Sequence, residues 1–89
     1  MSTTLCIPRI DSKITKERIF SIFRNLNWGY IENIRESNLI KENDHKRLVI
    51  KIRFNKENMN IMMRINQGET IKIVYDDPWY MRVCKFIPL

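Results

Sequence analysis

The stretch RLVIKIRF, residues 47–54, decides how this chain is read. Leu48, Ile50, Ile52 and Phe54 fall on one side of the alternation, with Val49, Lys51 and Arg53 on the other. Successive side chains of a strand point to opposite faces, so the stretch predicts a strand with one face in a core and one face outside it. The outer face is cationic, and what it meets is the question the rest of the chain has to answer.

The flanking segments extend the pattern. Before the strand, TTLCIPRI (residues 3–10) places Leu5 and Ile7 on one side and Cys6 on the other, with Pro8, which has no amide hydrogen, ending regular pairing. The period then changes. In DSKITKERIFSIFRNLNWG, Ile19, Ile22, Phe23 and Leu26 recur at the spacing of an amphipathic helix, with Thr15 as N-cap, Glu17 in the first turn and Gly29 as the stop. YIENIRESNLI reads as a strand with Ile31 and Ile34 as core contacts, and the polar KENDH as a loop.

After residue 54, NKENMNIMMRINQG reads as a second helix. It is capped by Asn55, ended by Gly68 and packed through Met59, Met62, Met63 and Asn66. In ETIKIVYDDPWYMRVCKF, Ile71, Ile73 and Tyr75 alternate with Lys72 and Val74. Asp76, Asp77 and Pro78 make a turn, and Met81 and Val83 resume the alternation.

The order is β-α-β-β-α-β, a split βαβ or ferredoxin-like arrangement, with an extra short strand before the last. It predicts a single α+β domain over residues 1–89, with a four-stranded antiparallel sheet backed by two helices. The other sheet face is left open to solvent or a partner.

Composition bounds the function. A chain of 89 residues, 44% hydrophobic and 29% charged, fits one small globular domain. No apolar run reaches the roughly 20 residues of a membrane span, and no signal-peptide block opens the chain, so the expectation is a soluble intracellular protein without a membrane role. Sixteen Lys and Arg against ten Asp and Glu leave a net charge of +6, a bias toward polyanions. The richness in Ile, Asn and Lys is also that of an AT-rich genome, which raises Lys without any function. Cys6 and Cys84 lack C-x-x-C spacing and His45 has no ligand companion, so two free thiols, no metal and no cofactor are expected.

LCIPRI and RLVIKIRF occupy the places of the two signature strands of the RNA-recognition-motif (RRM) family, and ITKERIFSIFRNLNWGYIENI those of its first helix and second strand. The chain resembles that family over nearly its whole length. The resemblance implies an RRM-like sheet whose open face meets RNA, with Arg47 as the basic residue contacting phosphate and Phe54 as the closing aromatic. Val49 and Lys51 stand where the family has stacking rings, Leu48 where it has glycine, and Cys6 where the first strand has a ring. Together with the hairpin YDDPWYMR, these segments also resemble small RRM-like proteins of nucleocytoplasmic large DNA viruses, the giant viruses. That implies a viral protein in the cytoplasm or nucleus of an infected cell, or in a virion.

Strand parity assigns Cys6, Arg35, Val49, Lys51, Arg53, Arg82 and Cys84 to the open face, with Arg9 just past the first strand. Arg35, Lys51, Arg53 and Arg82 then form a central group of cations with no acid among them. Arginine offers two parallel hydrogen bonds to phosphate, so Arg9, Arg35, Arg47, Lys51, Arg53 and Arg82 are the candidate contacts for single-stranded RNA or DNA. Such binding would be weak, salt-sensitive and low in sequence preference.

The alternative is a protein-interaction or structural module. Trp28, Tyr30, Trp79 and Tyr80 would serve as anchors, the tail KFIPL as a docking peptide, and self-association as one outcome. The simpler reading of Trp79 and Trp28 is that they cover the core edge and the end of the first helix. A solvated, charged sheet face is the plain reading of the cations. In the expected sheet order, the first and last strands are antiparallel neighbours, which brings Cys6 near Cys84. Catalysis is not expected: Asp76 and Asp77 read as a turn before proline, no His is spaced to activate a Ser or Cys, and Gly29 and Gly68 make no phosphate loop. No small-molecule substrate follows.

Overall fold

The computed structural model describes residues 2–88. The chain runs β1 (Ser2–Asp11), α1 (Lys16–Leu26), β2 (Gly29–Leu39), β3 (Glu42–Phe54), a 3-10 turn (Lys56–Asn58), α2 (Met59–Asn66), β4 (Ile71–Asp76) and β5 (Trp79–Lys85). The strands form an antiparallel sheet in the order β2-β3-β1-β5-β4. The α+β class is as expected; the strand number is corrected from four to five. The segment read as a short extra strand is a full outer partner of β5, paired from Ile71↔Val83 to Asp76↔Trp79.

Alternation in the strands and helical spacing in α1 fill one core. Leu5, Ile7, Ile31, Ile34, Leu48, Ile50, Ile52, Phe54, Ile73, Met81 and Val83 point to the same side of the sheet and join Ile19, Ile22, Phe23 and Ile65 of the helices. Both helices therefore cover one face. Burial of this much aliphatic and aromatic surface, at about 25 cal/mol per Å², is the main force holding the layers together. The start of α1 is fixed by Thr15, whose hydroxyl accepts from the Arg18 amide, with Glu17 at the positive end of the helix dipole.

Trp28 is a core residue, only 6% exposed, edge-on to Phe23 and stacked on Phe54. It ties the end of α1 to the end of β3, which withdraws it as an interaction anchor. The stop of α1 is Asn27, in the left-handed region at φ 55°, and not Gly29. Asn tolerates that region because its short polar side chain bonds locally. Gly29 instead opens β2 against Phe54 of β3, where no Cβ fits.

Three further expectations change. KENDH is not a loop: β3 begins at Glu42, so the β2–β3 hairpin turns at residues 40–41. Lys46, the residue after KENDH on β3, is buried, and donating to the Ile14 carbonyl and to Glu36 at 2.7 Å satisfies its charge. Pro8 does not end β1; the register with β3 slips between Ile7 and Ile10 and pairing resumes to Asp11. α2 packs through Ile61, Met62 and Ile65, whereas Met59 and Met63 are exposed. Met62 packs as expected, but the buried side runs on through Ile61 and Ile65 in place of Met59, Met63 and Asn66. Asn55 does not cap α2 with its side chain but donates to the Asn27 carbonyl. Gly68, at φ 97°, ends α2 as expected.

Candidate nucleic-acid interface

The face without helices is organised by cross-strand register. Arg35, Val49, Cys6 and Cys84 lie directly opposite one another across β2, β3, β1 and β5. Cys6 and Val49 are buried yet stand outside the core cluster, forming a small apolar spot on the far side of the sheet. Lys51 lies between Asn33 and Thr4, two pairs further along. Phe86 donates its amide to the Thr4 carbonyl at 3.2 Å, continuing the β1–β5 register by one pair. It is half-buried and, by parity, shares the face with Cys84.

The cations expected on this face are all exposed, but they are not equivalent. Arg35, Arg47, Lys51 and Arg82 form no ion pair among the described residues. Arg53 pairs with Glu32 at 3.3 Å, and the Arg9 Nε donates to Glu42 at 2.8 Å. The expectation of no acid on the face is therefore corrected. The β2 register slips between Ile31 and Asn33, and this bulge turns both Glu32 and Asn33 outward. The Ser2 hydroxyl, with Arg53 and Lys51 nearby, holds the Glu32 carboxyl below its usual range.

Glu32 thus stays anionic across the neutral range and opposes any polyanion on this face. Glu32→Gln should raise affinity for single strands about two- to fivefold, by removing a repelling charge and freeing Arg53. Fluorescence anisotropy with a labelled oligonucleotide reads this directly; weaker binding would show that Glu32 positions Arg53 for contact. Acidification should reproduce the gain only below the ordinary carboxylate range, because the folded-state pKa is depressed.

Cys6 and Cys84 are direct cross-strand partners and free thiols, with the Cys84 Sγ 3.6 Å from the Cys6 carbonyl. Burial, and then the neighbouring Cys84, push the Cys6 thiol up in pKa, against the pull of Arg47. Arg47 lies two residues from Val49 on β3 and shares its face by parity.

Of the aromatic residues proposed as anchors, Tyr30 is 70% exposed on β2 opposite Arg53. Trp79 is 66% exposed and protrudes, contrary to the reading that it covers the core edge. Tyr80 shares the parity of Arg82 and lies on β5 opposite Val74, with the Lys72 ammonium 4.2 Å from its ring centre and the Arg82 guanidinium 5.8 Å away. Lys72, directly opposite Arg82, is a cation that parity could have found once β4 was taken as a full strand. Of the tail, Phe86 follows β1 and Ile87 is exposed, while Leu89 lies outside the described residues.

In the other direction from Phe86, the β1–β5 ladder, which includes Leu5↔Lys85, stops at Cys6↔Cys84. Beyond Cys6 comes Pro8, which has no amide to donate, and the bulge that carries Arg9. The strands splay there, and a cleft of about 460 Å³ opens, lined by Pro8, Arg9, Tyr80, Met81 and Arg82. A second cleft of about 490 Å³ adjoins it through Arg9 and Tyr80 and adds Arg18, His45 and Trp79, with Asp11 and Asp76 at its wall.

Among the described residues, no three His, Cys, Asp or Glu side chains come together as metal ligands, and no helix is long and apolar enough to cross a membrane. No known protein family, curated protein or solved structure matches the chain.

Proposed function

We propose that this is a non-catalytic module with an RRM-like fold that binds single-stranded nucleic acid, RNA foremost, through the helix-free face of its sheet. In this reading β2-β3-β1-β5 is the four-stranded split-βαβ unit and β4 an added edge strand. The observation that carries it is the set of exposed cations without acidic partners, Arg35, Arg47, Lys51 and Arg82, around the apolar spot of Val49 and Cys6. A strand of phosphates laid across that spot would exchange its counterions for these side chains. Phosphate contact without ring stacking at the sheet centre gives affinity with little base preference. On the resemblance of its segments to small proteins of large DNA viruses, the setting we propose is an infected cell's cytoplasm or nucleus, or a virion.

The test is anisotropy of labelled random and homopolymeric single strands at about 50 mM and about 200 mM salt. Micromolar binding that is similar among sequences and falls steeply with salt is the expected result. Absence of binding at the lower salt would overturn the reading. In that case a protein-interaction or structural role takes its place, favoured by one specific observation: Tyr30 and Trp79 are large, exposed aromatic residues, the type enriched at interface hot spots.

A further inference from the structure

We propose that the splay between β1 and β5 is a subsite for one nucleotide, with the base against Tyr80 and its phosphate between the guanidinium groups of Arg9 and Arg82. The inference rests on the nucleic-acid reading of the sheet face and names where one nucleotide would be held by more than charge. A gap in the middle of a sheet is unusual, because neighbouring strands lose their ladder there. Here it has a local cause: Pro8 cannot donate, and the bulge displaces Arg9.

What lines the gap is specific in its chemistry. Its side chains are a proline ring, a phenol ring, a thioether and two guanidinium groups, with no acid. The bond from Arg9 to Glu42 uses Nε, and its two terminal nitrogens make no hydrogen bond among the described residues. Arg82 forms no ion pair among them. Tyr80 is 43% exposed, and Lys72 over its ring adds a further positive charge beside it. A volume of about 460 Å³ falls within the range of small-ligand pockets. Flat apolar surface and paired guanidinium groups in one cleft match a base joined to a phosphate. An acidic peptide would use the cations and leave the rings without a stacking partner.

The second cleft, which shares Arg9 and Tyr80 with this one and has Asp11 and Asp76 in its wall, reaches the exposed Trp79. The neighbouring nucleotide therefore has a second ring in reach, while the strand on the other side runs over Arg82 toward Arg47 and Lys51.

The probe is adenosine 5′-monophosphate, titrated into the folded protein and followed by amide-resolved NMR, with adenosine and inorganic phosphate as comparisons. The expected result is saturable shifts at Arg9, Tyr80, Met81 and Arg82, with adenosine and phosphate each binding at least fivefold more weakly. Tyr80→Leu and Arg82→Met should each weaken the monophosphate at least fivefold. Tyr80→Leu should leave the salt slope for long single strands unchanged, since a stacking contact releases no counterions.

Phosphate binding as tightly as the monophosphate would overturn the subsite in favour of a simple anion site. So would shifts spread over Val49 and Lys51 instead of the cleft. If long single strands bind with a steep salt slope and the monophosphate does not bind, the subsite fails and the sheet-face reading stands. If the monophosphate binds the cleft and long strands do not bind, the sheet-face reading fails and the subsite stands.

Discussion

Changing Arg47 and Lys51 together to glutamine should weaken single-strand binding about 70-fold at about 50 mM salt and about tenfold at about 200 mM, for every sequence alike. The size follows from counterion release. Each phosphate neutralised on a single strand contributes about 0.7 to the slope of log affinity against log salt, so two lost contacts remove about 1.4. Multiplied by the logarithm of the salt concentration, that slope gives the two factors. The measurement is a pair of anisotropy titrations across salt, and an unchanged slope would remove both residues from the interface.

These two residues are the informative pair because nothing else occupies them. Both are exposed and neither is held in an ion pair among the described residues. Arg47 and Lys51 flank Val49 on β3 and share its parity, so both belong to the centre of the face. Arg53 has the same parity but is already held by Glu32, and removing it alone should cost less. Since both side chains are exposed and glutamine keeps them polar, the fold should be retained, and circular dichroism and thermal melting provide the control.

The cations of the sheet centre were legible in the sequence because strand parity is a hard geometric rule: once Leu48, Ile50 and Ile52 face the core, Val49 and Lys51 cannot. Glu32 was misjudged for a related reason. Ile31 and Ile34 both face the core three residues apart, which an unbroken strand does not allow, and that spacing was the trace of the bulge. The splay of β1 from β5 was less accessible. Pro8 announced an interruption in pairing, but which neighbour would be lost depended on the strand order and on the slip that lets β3 recover its pairing and β5 not. The α2 face was read partly wrong because the set Met59, Met62, Met63 and Asn66 and the set Ile61, Met62 and Ile65 both fit a period of 3.6 within one eight-residue helix, so spacing alone does not choose between them.

The largest effect on stability should come from Gly29→Ala. A Cβ placed there would lie 2.0 Å from the Arg53 carbonyl oxygen and 2.8 Å from both the Arg53 carbonyl carbon and the Phe54 Cα. All three are backbone atoms, so no side chain can swing away to make room. The strands would have to part where Trp28 stacks on Phe54 and the Asn55 amide donates to the Trp28 carbonyl at 2.8 Å. Separation at that point loosens the end of α1 and the hairpin together, and a cost of about 3–5 kcal/mol is expected against a total of roughly 5–10 kcal/mol for a domain of this size. Gly68→Ala is the contrast. No atom lies within 4 Å of a Cβ there, and only the positive φ of 97° opposes the change, so about 1 kcal/mol is expected. Urea unfolding of the two variants separates a steric requirement from a conformational one. Equal midpoints would mean that β2 can move off β3 at its first residue, and that the aromatic stack of Trp28 does not hold the two strands in register.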